Sequence, residues 1–284
     1  MKHNFGIIAL LLILFISAHV IGLAVVKYYL PEDKPLPLNI QKPEFDEKTS
    51  FLPIFITILV ATAIALVLIK FKSYRLWKFW FLTSVFLTLT VSFSSFLPQV
   101  FAVVLAIIFS LLKTFKQSVI IHNLTEVFIY GGLAAIFVPV LSLTSIIILL
   151  LLVSVYDFIA VRKTKHMISL ANFQSDSKIF AGLFIPYSKK NKTFHVAREL
   201  SVQPKDSKTL HSQAILGGGD IGFTLLFSGV ILKNFGFSQA LVVSLVAAIS
   251  LGILFFAAEK DKFYPAMPFL TVGCLVGYGL VLLV

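Results

Sequence analysis

Over 284 residues the chain is 58% hydrophobic and only 13% charged, with a mean hydropathy of +0.96, which excludes an ordinary soluble domain and points to the membrane. A single cysteine, Cys274, excludes an intrachain disulfide and a thiolate zinc site, so neither staple is available. The net charge of +11 would suggest nucleic acid in a soluble protein, but here it reads as basic loops beside a lipid bilayer, and no nucleic-acid partner is expected.

Crossing the hydrocarbon takes about 20 apolar residues. That ruler predicts nine spans, at residues 5–30, 51–69, 76–96, 98–112, 119–141, 143–161, 215–232, 237–257 and 264–284. The first is too long for a signal-peptide core and no clear small-x-small site follows it, so it is read as a helix. The proline-rich connection after it carries Glu32, Asp33, Glu44, Asp46 and Glu47 and reads as solvated and irregular. Residues 162–212 form one long basic loop. Its inner stretch KIFAGLFIPYSKK is apolar enough to lie on the membrane or dock back on the bundle, with a plain connector as the expected role. The chain is therefore expected to be an all-α polytopic bundle, one integral membrane domain with a six-helix portion (1–161), a cytoplasmic loop (162–212) and a three-helix portion (213–284). Assigned to alternate sides of nine spans, 19 of the 24 Lys and Arg residues fall on the amino-terminal side, which predicts a cytoplasmic amino terminus and an external carboxyl terminus.

Of the 13 acids only Glu126, Asp157 and Asp220 lie inside spans. An ionisable group there costs about 2.5–3.5 kcal/mol on insertion scales, so each needs a partner or a job. Lys and Arg are absent from the middles of the spans, and no buried salt bridge is expected to account for the acids. Asp157 lies five residues before Arg162 and Asp220 five residues after Ile215 on a helix of opposite direction. At 1.5 Å per residue both are roughly 7 Å inside the cytoplasmic boundary. Adjacent antiparallel helices could bring the two carboxylates within hydrogen-bond reach, sharing one proton. An ionised carboxylate could then take a proton from water while its protonated neighbour polarises an amide carbonyl.

Three other features sit at this depth. Gly217, Gly218 and Gly219 in LGGGDIGF lack Cβ atoms and favour helix weakly, so they either keep the start of the span open for an extended substrate or permit tight helix packing. Pro265 and Pro268 in FYPAMPFL fit the first turn of the last span, where missing donors do no harm. Tyr156 either hydrogen-bonds the carboxylates or is an interfacial aromatic. Glu126, with His122 and Asn123 about one turn away, reads as an interhelical hydrogen-bonding group, with an ion or proton role as the alternative.

Tyr156-Asp157 on the sixth span, Gly217-Gly218-Gly219-Asp220 on the seventh and Pro265-Ala266-Met267 on the ninth resemble the YD, GxGD and PAL motifs of the presenilins and signal peptide peptidases, the GxGD intramembrane aspartyl proteases. Motif order, helix assignment and nine-span layout all agree, and the amino-terminus-inside arrangement with a short loop looks most like an archaeal presenilin homologue. The resemblance implies proteolysis of transmembrane-helix substrates by Asp157 and Asp220, with Tyr156, Gly217, Gly218, Gly219, Pro265, Ala266 and Met267 shaping the site, and no metal or cofactor. Met267 stands where the family motif has leucine, an apolar swap of similar volume. A prepilin-type peptidase also carries a GxGD segment but should have fewer spans and no proline motif on a ninth helix. A proton- or cation-coupled transporter or leak channel would use intramembrane acids and glycine-broken helices too, though no inverted repeat is visible. Partner subunits and homo-oligomerisation are left open by the sequence.

Overall fold

The computed structural model describes all residues except 1–4, 32, 44–45, 117, 162–172, 174–176, 178, 187–212, 258–263 and 284. Among the described residues nine helices carry the fold: α1 Phe5–Tyr29, α2 Phe51–Lys70, α3 Tyr74–Ser94, α4 Gln99–Phe115, α5 Val119–Phe137, α6 Leu143–Ile159, α7 Gly218–Phe235, α8 Phe237–Ala257 and α9 Met267–Val281. Each coincides with one predicted span to within a few residues. Five of them, α1, α2, α3, α5 with its 3-10 extension to Val140, and α8, are long and apolar enough to cross a membrane by themselves. The apolar α4, α6 and α9 are shorter, at 17, 17 and 15 residues. At 1.5 Å per residue α9 reaches only about 22 Å, less than the hydrocarbon thickness of ~30 Å.

Helix α7 is the centre of the bundle. Every residue from Thr224 to Leu232 is buried, so the helix is covered all round rather than on one stripe. Its neighbours are α1, α5, α6, α8 and α9. By contrast α2 buries only Ile54, Ala65 and Leu68 and presents the rest of its apolar surface outward, as a lipid-facing helix should.

Small residues let the helices approach. A Cβ at Gly131 of α5 would meet the Cα of Gly22 of α1 at 3.0 Å, and one at Gly132 would run into the backbone of Thr88 on α3. Gly273 and Gly277, four apart on α9, lie against Ala247 and Val243 of α8, the close crossing that small residues at this spacing permit in membranes.

At one end of the bundle, Lys233 after the core of α7 pairs with Glu47 at 3.0 Å and donates to the Pro139 carbonyl at 2.8 Å, while the Ser145 hydroxyl donates to the Glu47 carbonyl at 2.6 Å. The connections before α2, before α6 and after α7 therefore share one face, as an alternating chain of spans requires.

The predicted seventh span begins differently from expectation. Residues 215–217 are not helical: they belong to strand β2, Gln213–Gly217, which pairs antiparallel with β1, Gly182–Pro186, in the register Gly182↔Gly217 and Phe184↔Ile215. Ile215 and Leu216 look like membrane helix by composition, but register pairing with β1 offers the segment an alternative to the helical ladder. The inner apolar stretch of the long loop is accordingly not a plain connector. It docks back on the bundle, with Leu183 and Phe184 fully buried. Of the rest of the predicted loop only Phe173 and Ser177 are described, both buried, with Phe173 stacked on Tyr74.

Candidate active site

Three helix ends and the ribbon converge at the other end of the bundle. Asp157 lies in the last turn of α6, Asp220 in the first turn of α7, and Met267 opens α9. The backbone of α7 explains the placement of Asp220. Gly217 is the N-cap, extended at φ −63° and ψ 144°, so Asp220 is the third helical residue, and its carboxylate reaches back to the Gly217 amide. This is the side-chain half of a capping box, and it holds the carboxylate over the helix's unsatisfied N–H groups. One turn on, the Thr224 hydroxyl bonds the Asp220 carbonyl at 2.7 Å and touches His19 Nε2 of α1 at 3.1 Å, tying the same turn to a buried neighbour.

Asp157 approaches the start of another helix. Its Oδ2 accepts from the Met267 N–H at 3.2 Å. Both carboxylates thus sit at helix amino-terminal ends, and they lie close enough for their charges to interact. Each is half-buried, and among the described residues neither is paired with a lysine or arginine.

The other predicted site residues gather here as well. Tyr156 precedes Asp157 and is half-buried. Pro265 is buried, Ala266 is the N-cap of α9, and Pro268 occupies its first turn, as expected of a proline at a helix entrance. The Met267 side chain is buried in the main core at 3% exposure, so the contact to Asp157 comes from the backbone and is indifferent to whether leucine or methionine stands there.

The three glycines differ from one another. A Cβ on Gly218 would lie 2.6 Å from the Tyr130 hydroxyl and 3.3 Å from the Ala181 carbonyl, which accepts the Gly218 N–H at 3.2 Å. A Cβ on Gly217 would press on Asp220 Oδ2 at 3.2 Å, whereas Gly219 is exposed with only the Phe223 ring at 3.9 Å. Close approach to the ribbon and to α5 requires Gly218, Gly217 leaves room for the Asp220 carboxylate, and Gly219 is open.

One expectation fails outright. Glu126, 1% exposed, does have a buried salt-bridge partner: Lys113 Nζ lies 2.6 Å from its Oε1. Lys113 stands in the last turn of α4, where the sequence placed it in a loop, and it turns inward to 7% exposure rather than snorkelling out. The interhelical role expected of Glu126 holds, with a lysine as the partner. Tyr130, which the sequence did not single out, donates its hydroxyl to Glu126 Oε2 and feels the charge of Asp220. The available signal was the 122, 126, 130 spacing, which puts His122, Glu126 and Tyr130 on one face of α5.

A family profile described as signal-peptide peptidase, presenilin aspartyl protease matches residues 7–284. Two solved structures of a presenilin-family intramembrane aspartate protease, in C222 and P2 space groups, share the fold. The first has 16% identity and a TM-score of 0.62 over 95% of this chain and 94% of its own, the second 17% and 0.63 over 96% of each. None of the curated proteins matches the chain. With a profile that spans the bundle from α1 to the end of α9, the chain belongs to the signal-peptide peptidase and presenilin aspartyl protease family and is a multi-pass intramembrane aspartyl protease that acts on transmembrane substrates.

Proposed function

We propose that Asp157 and Asp220 are the catalytic pair, hydrolysing a peptide bond of a transmembrane substrate with water as nucleophile. The observation that carries this is the juxtaposition of two carboxylates at helix amino termini without a neighbouring cation among the described residues. A cation would neutralise one acid. Two acids alone are best accommodated by one proton held between them. The ionised member takes a proton from water as it attacks the scissile carbonyl, the protonated member polarises that carbonyl, and the proton then passes to the leaving amine. No metal or cofactor is called for in this scheme.

The surrounding residues have separable parts in it. The Met267 N–H orients Asp157, Pro265 and Ala266 set the entry angle of α9, and Tyr156 lines the approach beside Asp157. Gly218 gives the ribbon its close seat, Gly217 clears space for the Asp220 carboxylate, and Gly219 leaves room for an unwound substrate backbone, since a helical peptide bond is shielded until its own hydrogen bonds open. The six-helix portion supplies one acid and the three-helix portion the other.

The basic residues orient the enzyme with its amino terminus and this site toward the cytoplasm and its carboxyl terminus outside. Water then has a short path to the carboxylates, and the first cut falls in the cytoplasmic third of the substrate's span. The test is cleavage of a single-span test substrate by purified protein. Asp157→Asn and Asp220→Asn should each abolish turnover in a folded protein, because an amide can neither take nor share the proton. Turnover by either variant would remove the pair from the mechanism. Mass spectrometry of the earliest products, with orientation established independently, places the cut. Initial cuts at the external end would contradict the depth or the topology.

A further inference from the structure

A two-stranded ribbon is marginal by itself. Here β2 runs without a break into the turn that carries Asp220, so whatever holds the ribbon holds that carboxylate. The hold comes from α5. Asn123 clasps one residue of β1 from both sides: its Nδ2 donates to the Phe184 carbonyl at 2.7 Å, and its Oδ1 accepts from the Phe184 N–H at 3.0 Å. Two residues earlier on the same edge, the Gly182 carbonyl accepts from His122 Nε2 at 2.7 Å. Residues two apart in a strand face the same way, so α5 covers one edge of β1 while the other edge pairs with β2.

Lys113 sets the chemistry of this clasp. Its ammonium has only protons to give, so at 3.2 Å it donates to His122 Nδ1, which leaves the imidazole proton on Nε2, aimed at Gly182. The same ammonium pairs with Glu126 Oε1, and Glu126 Oε2 accepts the Tyr130 hydroxyl. Tyr130 in turn lies over Gly218, where no side chain would fit, two residues before Asp220. One buried charge pair thus fixes both the ribbon's edge and the floor beneath the turn.

We infer that the polar face of α5, braced by Lys113 from α4, is a positioning device that sets the Asp220 carboxylate in register with Asp157. The inference rests on the assignment of those aspartates as the catalytic pair. The bonds described above run from His122, Asn123, Glu126 and Tyr130 to backbone, to Lys113 and to one another, so their effect should appear in the chemical step and not in substrate capture.

The full-length protein in lipid nanodiscs, with a single-span test substrate, decides it. Asn123→Leu removes the clasp, Tyr130→Phe removes one hydroxyl, and Lys113→Met/Glu126→Leu replaces the charge pair with an apolar one, a change that buried pairs often tolerate in stability. Each should lower kcat at least tenfold with KM within twofold, and should weaken a hydroxyethylene peptide inhibitor, which mimics the transition state, in step with kcat. Parental kcat in folded variants would overturn the inference, as would a loss that only follows the folded fraction in a melting curve. Asp157→Asn and Asp220→Asn run alongside. If these retain turnover, the catalytic assignment fails and the positioning role falls with it. If they are dead while the α5 variants match the parent, the positioning role alone fails.

Discussion

Glu126 on α5 and the Asp157–Asp220 pair between α6 and α7 lie at the same end of one bundle and face the same difficulty, a carboxylate removed from water. Glu126 is supplied with a lysine at 2.6 Å and a tyrosine hydroxyl, so each of its oxygens has a strong donor. Among the described residues the aspartates receive backbone N–H groups, from Met267 and from Gly217, and each lies within the other's field rather than beside a cation. A group with every partner in place is inert and holds structure, whereas a group left under-satisfied keeps a lone pair and a proton available for chemistry. Mutational effects should divide along the same line.

The largest effect is expected at the aspartates, on activity alone. Asp220→Asn should lose all detectable turnover yet melt no lower than the parent, because removing one of two neighbouring acids relieves repulsion while the amide keeps the shape. At the matched acid the order reverses. Lys113→Met should cost roughly 3–5 kcal/mol of stability by leaving Glu126 buried without its cation, and adding Glu126→Leu should recover most of it. Denaturant or thermal unfolding in detergent measures both. If Lys113→Met melted like the parent, the pair would not be the structural half of the comparison.

The aspartates were legible in the sequence and the brace was not, for physical reasons. A carboxylate in an apolar run is conspicuous, although the count that set the depth of Asp220 began at Ile215, which lies in β2 and not in a helix. Lys113 stands at the end of an apolar run, where a lysine can reach outward to water or turn inward. Composition does not distinguish the two, and the choice depends on Glu126 being presented by the next helix. The ribbon was hidden by a different cause. GLFIP sits inside a basic loop and QAILG at the apolar start of a span, and pairing across the intervening residues 187–212 leaves no local period to detect. The nine spans were legible because each is a locally apolar run bounded by polar or turn residues, even where the helix itself is short.

Smaller effects separate the glycines. Gly218→Ala must displace the Tyr130 hydroxyl or the Ala181 backbone, and should cost about 1–3 kcal/mol together with much of the activity. Gly219→Ala enters open space in a helical first turn, and should be neutral or stabilise by up to about 1 kcal/mol. Equal effects at the two positions would mean that helix preference, rather than the approach of α5 and the ribbon, explains the glycines. The smallest effect is expected for Met267→Leu. Its side chain packs in the core while its backbone serves Asp157, so stability should change by less than about 1.5 kcal/mol and kcat should barely move.

The shared proton is the centre of this account, and the pH dependence of kcat/KM on a single-span test substrate tests it most directly. Protonating the second carboxylate at low pH removes the base, and losing the shared proton at high pH removes the acid. The predicted result is a bell-shaped profile with one macroscopic ionisation on each limb. A rate that climbs steadily into the alkaline range would indicate a hydroxide-like nucleophile generated elsewhere, and would contradict catalysis by Asp157 and Asp220.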